Sequence, residues 1–105
     1  MMKKIDVLRF SIDDEYPDIL GECLVKDSPH YQYVCGNKQP YMEWQSNREK
    51  DVALKTEKFD RLIKSIKREG LKKSIYVRGS IILDGHHRAA VCMALGYEEI
   101  ECLER

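Results

Sequence analysis

Much that would place this chain quickly is missing from it. No apolar run approaches the ~20 residues needed to span a bilayer, and Met1-Met2-Lys3-Lys4-Ile5-Asp6 opens without the apolar stretch of a secretion signal. A cytoplasmic protein that does not engage a membrane is the expectation. The four cysteines, Cys23, Cys35, Cys92 and Cys102, form no Cys-x-x-Cys pair, which argues against a structural zinc site. Free, buried thiols are expected instead. There is no His-x-x-x-His pair to chelate a transition metal. Net charge is also missing: 18 basic residues balance 18 acidic ones, so overall electrostatics make no case for nucleic acid. Internal repeats and low-complexity stretches are absent.

What is present describes a folded chain. With 105 residues, one domain with a modest core is expected. A chain 43% hydrophobic and 34% charged falls among globular domains and outside the disordered class. The charge is uneven. Lys55 to Arg78 holds nine basic side chains against three acidic ones, a local charge of +6. Such a run is either a solvated helix face or a surface that meets phosphate.

The second half has clear periodicity. Phe59, Leu62, Ile63 and Ile66 fall at i, i+3, i+4 and i+7, one apolar stripe on a helix over about Glu57–Glu69. Thr56 is the expected cap and Gly70 the stop. Ser74–Arg78 and Ile81–Leu83, joined at Gly79-Ser80, form a tight hairpin. Asp84-Gly85 breaks the second strand, and a helix follows over about His87–Leu95, ended by Gly96. Glu99–Leu103 alternates polar and apolar as a half-buried strand does. The first half is less regular. Ile5–Phe10 suits a strand. Asp27-Ser28-Pro29 suits a helix start, with Ser28 as cap and Pro29 at the first helical position. Pro40-Tyr41 is expected to open a short helix around Met42–Glu49. His30, Tyr31, Tyr33, Tyr41 and Trp44 form an aromatic cluster that is either core packing or the wall of a ligand site.

One turn concentrates chemistry: Leu83-Asp84-Gly85-His86-His87-Arg88. The first N–H groups of a helix lack intrahelical partners, and the helix dipole adds positive potential there. Glycine permits a sharp turn and close approach of an anion. Arg88 offers a planar fork matched to phosphate oxygens. Asp84 either braces the loop, binds Mg²⁺ beside a phosphate, or accepts a proton from a hydroxyl. His86 and His87, being adjacent, point about 100° apart and do not form a chelate. Lys58, Arg61 and Ser65 lie along one side of the long helix and are candidates to complete the site.

These segments carry a resemblance. Phe59–Leu71, then Ile75-Tyr76-Val77, then Ile82–Ala90, then Gly96–Ile100 is similar to the ParB/sulfiredoxin superfamily over about residues 56–104. Asp27–Tyr31 with Tyr41 also resembles the front of small ParB-like proteins. The resemblance implies a compact α/β (α+β) single domain, a small mixed sheet with flanking helices. Residues 1–52 would be a variable N-terminal part and 53–105 a nucleotide-binding core. It implies that nucleotide phosphates rest on Gly85, His87 and Arg88, with Lys58, Arg61 and Ser65 beside them. His86 stands where sulfiredoxin has its cysteine, so that chemistry is not expected. His86 and His87 stand where ParB partition proteins have Glu and Arg, which argues against CTP hydrolysis. The Asp-Gly-His-His-Arg turn is similar to that of ParB-like free serine kinases, which implies catalytic roles for Asp84 and His86.

Three functions are expected from this. The first is an ATP-type nucleotide-binding domain with Mg²⁺, acting as a kinase or phosphotransferase on a small hydroxyl-bearing substrate. The second is a regulatory module that binds nucleotide or a protein partner without turnover. The third is a ParB-like DNA-binding or nuclease protein, motivated by the +6 segment.

Overall fold

In a computed structural model, which describes residues 1–11, 22–48 and 50–105, the chain is a mixed α/β domain. Its six strands are β1 (Met2–Lys4), β2 (Arg9–Ser11), β3 (Glu22–Leu24), β4 (Ile75–Arg78), β5 (Ile81–Asp84) and β6 (Glu99–Glu104). Its four helices are α1 (Pro29–Val34), α2 (Gln39–Asn47), α3 (Val52–Glu69) and α4 (His86–Ala94). The strands form one curled sheet in the order β1-β6-β4-β5-β2-β3. β2 runs parallel to β5 and β4 parallel to β6, while the other neighbours are antiparallel. This is the expected mixed sheet with flanking helices. Strands from the first half enclose those of the second half on both sides.

The core explains which pattern each segment adopts. In β4, Ile75 and Val77 are buried; in β6, Ile100 and Cys102 are buried. One sheet face is therefore packed. Against it lie Phe59 and Ile66 of α3 and Ala89–Cys92 of α4. Gly70 ends α3 at φ 77° and Gly79 turns the β4–β5 hairpin at φ 61°, both in the left-handed region that favours glycine.

Several boundaries differ from expectation, each for a physical reason. Ile5–Phe10 is not one strand: Ile5–Val7 is a 3-10 turn between β1 and β2. The buried residues are Ile5, Leu8 and Phe10. A step of three followed by a step of two buries them through a 3-10 turn and then a strand. α3 begins earlier than Thr56. Asp51 is its cap, with Oδ1 accepting from the Leu54 N–H at 3.0 Å. Val52–Lys55 continue the helix, and Thr56 Oγ1 merely donates back to the Ala53 carbonyl at 3.0 Å. α4 starts one residue early, at His86. α2 opens at Gln39 with Pro40 in its first turn, as expected, and runs to Asn47; Glu49 lies outside the described residues. Of the cysteines, Cys92 and Cys102 are buried and Cys23 is partly so. Cys35 is exposed because it ends α1 at the surface.

The Ser28 cap forms as expected. Its Oγ accepts from the Tyr31 N–H at 3.1 Å and donates to the Val25 carbonyl at 2.6 Å, fully buried. Ser28→Ala is expected to lower stability by about 1–2 kcal/mol, read as a lower urea midpoint at unchanged slope. An unchanged midpoint would show that the cap carries no net stabilisation.

Candidate functional site

The strand-turn-helix unit is built around Gly85, which caps α4 at φ 101°, with no side chain capping the first turn. A Cβ here would meet Ile75 Cγ2 at 2.5 Å and an Arg88 terminal nitrogen at 2.9 Å. The backbone thus passes tightly over β4, with the leading N–H groups of α4 uncapped and no acidic residue in its first turn.

Asp84–Arg88 line a cavity of about 410 Å³, with Tyr41, Lys55, Lys58, Phe59 and Leu62 as the remaining wall. Its size is within the range of small-molecule sites. The structure brings together Asp84, Gly85, His86, His87, Arg88 and Lys58. It leaves Arg61 and Ser65 off the wall. Arg61 points away and pairs with Glu57 at 3.5 Å, both side chains about two-thirds exposed. The facing residues of α3 are Lys55, Lys58, Phe59 and Leu62. At about 100° per residue, that stripe is rotated roughly 70° from the Lys58–Arg61–Ser65 row. Burying Phe59 decides the rotation. Lys55 was legible: it lies three residues before Lys58 and four before the innermost residue of the apolar stripe. Neither Lys55 nor Lys58 has an ion-pair partner among the described residues.

Arg88 is 17% exposed and anchored. A terminal nitrogen donates to the Ser74 carbonyl at 3.2 Å and lies 3.8 Å from Asp84 Oδ2. Its Nε is buried with no hydrogen-bond partner among the described residues. Asp84 is half exposed at the mouth.

The histidines sit against the aromatic cluster. His86 packs edge-on against Phe10 at 4.7 Å between ring centroids. His87 lies edge-on to Phe59 at 4.8 Å and to His30 at 4.5 Å. Burial, reinforced by the charges of His86, Lys55, Arg48 and Arg88, pushes His87 down to about 4. It is neutral at pH 7. His30 is buried, and neither ring nitrogen has a partner among the described residues. Burial and the neighbouring His87, His86 and Arg48 hold it well below the ordinary histidine range. Tyr33, Tyr41 and Trp44 are buried beside it. The cluster is core packing, and Tyr41 within it also lines the cavity. No pattern in the sequence marks Gln45, a buried polar residue of α2 whose Nε2 donates to Tyr41 Oη at 2.9 Å.

Compared with family models, with curated proteins and with solved structures, this chain finds no match in any of the three. Among the described residues, no group of three or more His, Cys, Asp or Glu side chains is placed to hold a metal ion. No helix among them is long and apolar enough to cross a membrane.

Proposed function

We propose that this domain binds the phosphates of a nucleotide of the ATP type in the cavity headed by Gly85. The observation that carries the reading is convergence. A helix start without acidic side chains, two lysines with no ion-pair partner among the described residues, and one arginine meet in a single concave space. Each element favours an anion, and among the described residues Asp84 is the one carboxylate on the wall. The tight glycine passage suits a ligand resting on backbone N–H groups. Lys55 and Lys58 would neutralise outer phosphates, and the Arg88 fork would hold another phosphate oxygen.

Asp84 also fits the one-carboxylate pattern by which Mg²⁺ is held beside phosphates. When bound, that ion supplies charge neutralisation of phosphate oxygens. Phosphoryl transfer is mainly positioning and electrostatic stabilisation. A kinase or phosphotransferase is therefore the activity this reading favours, with Asp84 and His86 as candidate acid–base groups. At the half-exposed mouth, Asp84 is placed to meet an acceptor hydroxyl.

Calorimetry with ATP, ADP and CTP, with and without Mg²⁺, tests the reading. Arg88→Ala is expected to weaken binding by about 10- to 100-fold, the scale of a lost charged hydrogen bond. Lys55→Ala and Lys58→Ala should each weaken it by less, and Arg61→Ala should leave it unchanged. Absence of binding by every nucleotide rejects the proposal. An Arg61 effect as large as that of Arg88 moves the site onto the other side of α3.

A further inference from the structure

A buried hydrogen-bond chain runs into the proposed site. Gln45 Nε2 donates to Tyr41 Oη at 2.9 Å, and Tyr41 Oη lies 2.9 Å from His87 Nε2. A phenol carries one proton. With Gln45 donating to the oxygen, that proton is free to go to His87 Nε2. Nε2 is then an acceptor, and the single proton of the neutral ring sits on Nδ1.

The reverse arrangement requires Gln45 to turn over, its Oε1 accepting from Tyr41. The NH₂ group would then occupy the place now held by Oε1, which is buried without a partner among the described residues. Orphaned buried N–H donors are rarer than an under-satisfied carbonyl oxygen. Gln45 is 2% exposed and Tyr41 fully buried, so water does not compensate. The ring is also fixed sideways by Phe59 and His30.

We propose that Tyr41 and Gln45 are positioning residues that hold His87 as the Nδ1–H tautomer, making its imidazole a neutral hydrogen-bond donor to a phosphate oxygen. The ligand half of this proposal rests on the nucleotide reading above; the tautomer half does not. Nδ1 of His87, unlike both nitrogens of His30, is not sealed away without a partner, and His87 lines the cavity. A donor of this kind works at neutral pH without first being protonated. It also discriminates: a ligand that presents its own N–H or O–H there meets another donor, whereas a phosphate oxygen is paired. Tyr41 thus joins the first half of the chain to the chemistry of the second, because α2 carries both members of the relay at i and i+4.

The test is long-range ¹⁵N–¹H NMR of the full chain labelled in histidine, at pH 7, without ligand and then with inorganic phosphate or ATP. The expected result is a protonated Nδ1 and an unprotonated Nε2 on His87. Tyr41→Phe should shift the ring toward the Nε2–H tautomer and weaken ATP binding by about fivefold to tenfold. Gln45→Met, which keeps the phenol, should shift the tautomer in the same direction if Tyr41→Phe does not fold. His87→Asn keeps an N–H near the Nδ1 position and should retain more affinity than His87→Gln. A wild-type ring protonated on Nε2, or a tautomer indifferent to both relay variants, overturns the positioning role. The opposite order of the Asn and Gln variants overturns the donor role. If the tautomer is as expected but neither phosphate nor ATP binds any form, the nucleotide reading fails and the donor role with it, while the relay stands.

Discussion

Gly85→Ala is expected to be the most damaging small substitution at the site. Two costs combine. At φ 101° an L side chain is strained, which costs about 1–2 kcal/mol. The new methyl would also stand 2.5 Å from Ile75 Cγ2 and 2.9 Å from Ile75 Cβ, against a fully buried β4 residue. Overpacking a core of this kind costs about 1–3 kcal/mol. Together the loss is roughly 2–5 kcal/mol, on the order of 10 °C or more in Tm for a domain this size. Gly79→Ala is the control. It has a left-handed φ of 61° but nothing within 4 Å of the added methyl. It should lose only the backbone share. Nucleotide binding should vanish in Gly85→Ala even below its Tm, because β4 and the start of α4 are forced apart where the phosphate would rest. Equal shifts for the two glycines would mean that the close passage over Ile75 is not what requires glycine.

Acidification should destabilise the fold well before its carboxylates are protonated. His87 has its pKa lowered from 6.5 to about 4, first by burial and then by His86, Lys55, Arg48 and Arg88. His30 is lowered as well, first by burial. Between pH 6.5 and about 4 the unfolded chain binds protons that the folded chain refuses. Stability must therefore be full above pH 6.5, fall as pH drops through that window, and level off for this residue below about 4. His87 alone contributes up to roughly 3 kcal/mol to the loss, and His30 adds to it in the same direction. Urea titrations at pH 7.5, 6, 5 and 4 measure this. His87→Asn should flatten part of the slope, because an amide does not titrate. A midpoint constant from pH 7.5 to 5 would show that the histidines take up protons in the folded state without penalty. Above this window His87 stays neutral, so it should itself add no pH dependence to phosphate affinity between pH 7 and 8.

Much of the fold was legible because its second half obeys local rules. The stripe from Phe59 to Ile66, the stop at Gly70, the hairpin at Gly79 and the alternation of β6 each follow from periodicity or from one glycine. The first half was harder, since Ile5–Phe10 mixes a three-residue and a two-residue spacing. No single period describes it until Ile5, Leu8 and Phe10 are seen to share one core. The start of α3 was misjudged because Asp51 and Thr56 are both competent caps. The outcome depended on whether Val52–Lys55 joined the helix.

By itself the sequence determined the turn Asp84–Arg88. A strand, a glycine and a helix start are local matters, and the uncapped N–H groups with Arg88 follow from adjacency along the chain. The tertiary structure decided what faces that turn. The rotation of α3 that buries Phe59 brings Lys55 and Lys58 to the cavity and turns Arg61 to solvent. The packing of α2 sets Tyr41 and Gln45 against His87, more than forty positions away in the sequence. Residue type and spacing reveal which groups share a turn or a helix face. Which face meets which is set by burial of the largest side chains, a property of the whole core and not of any one segment.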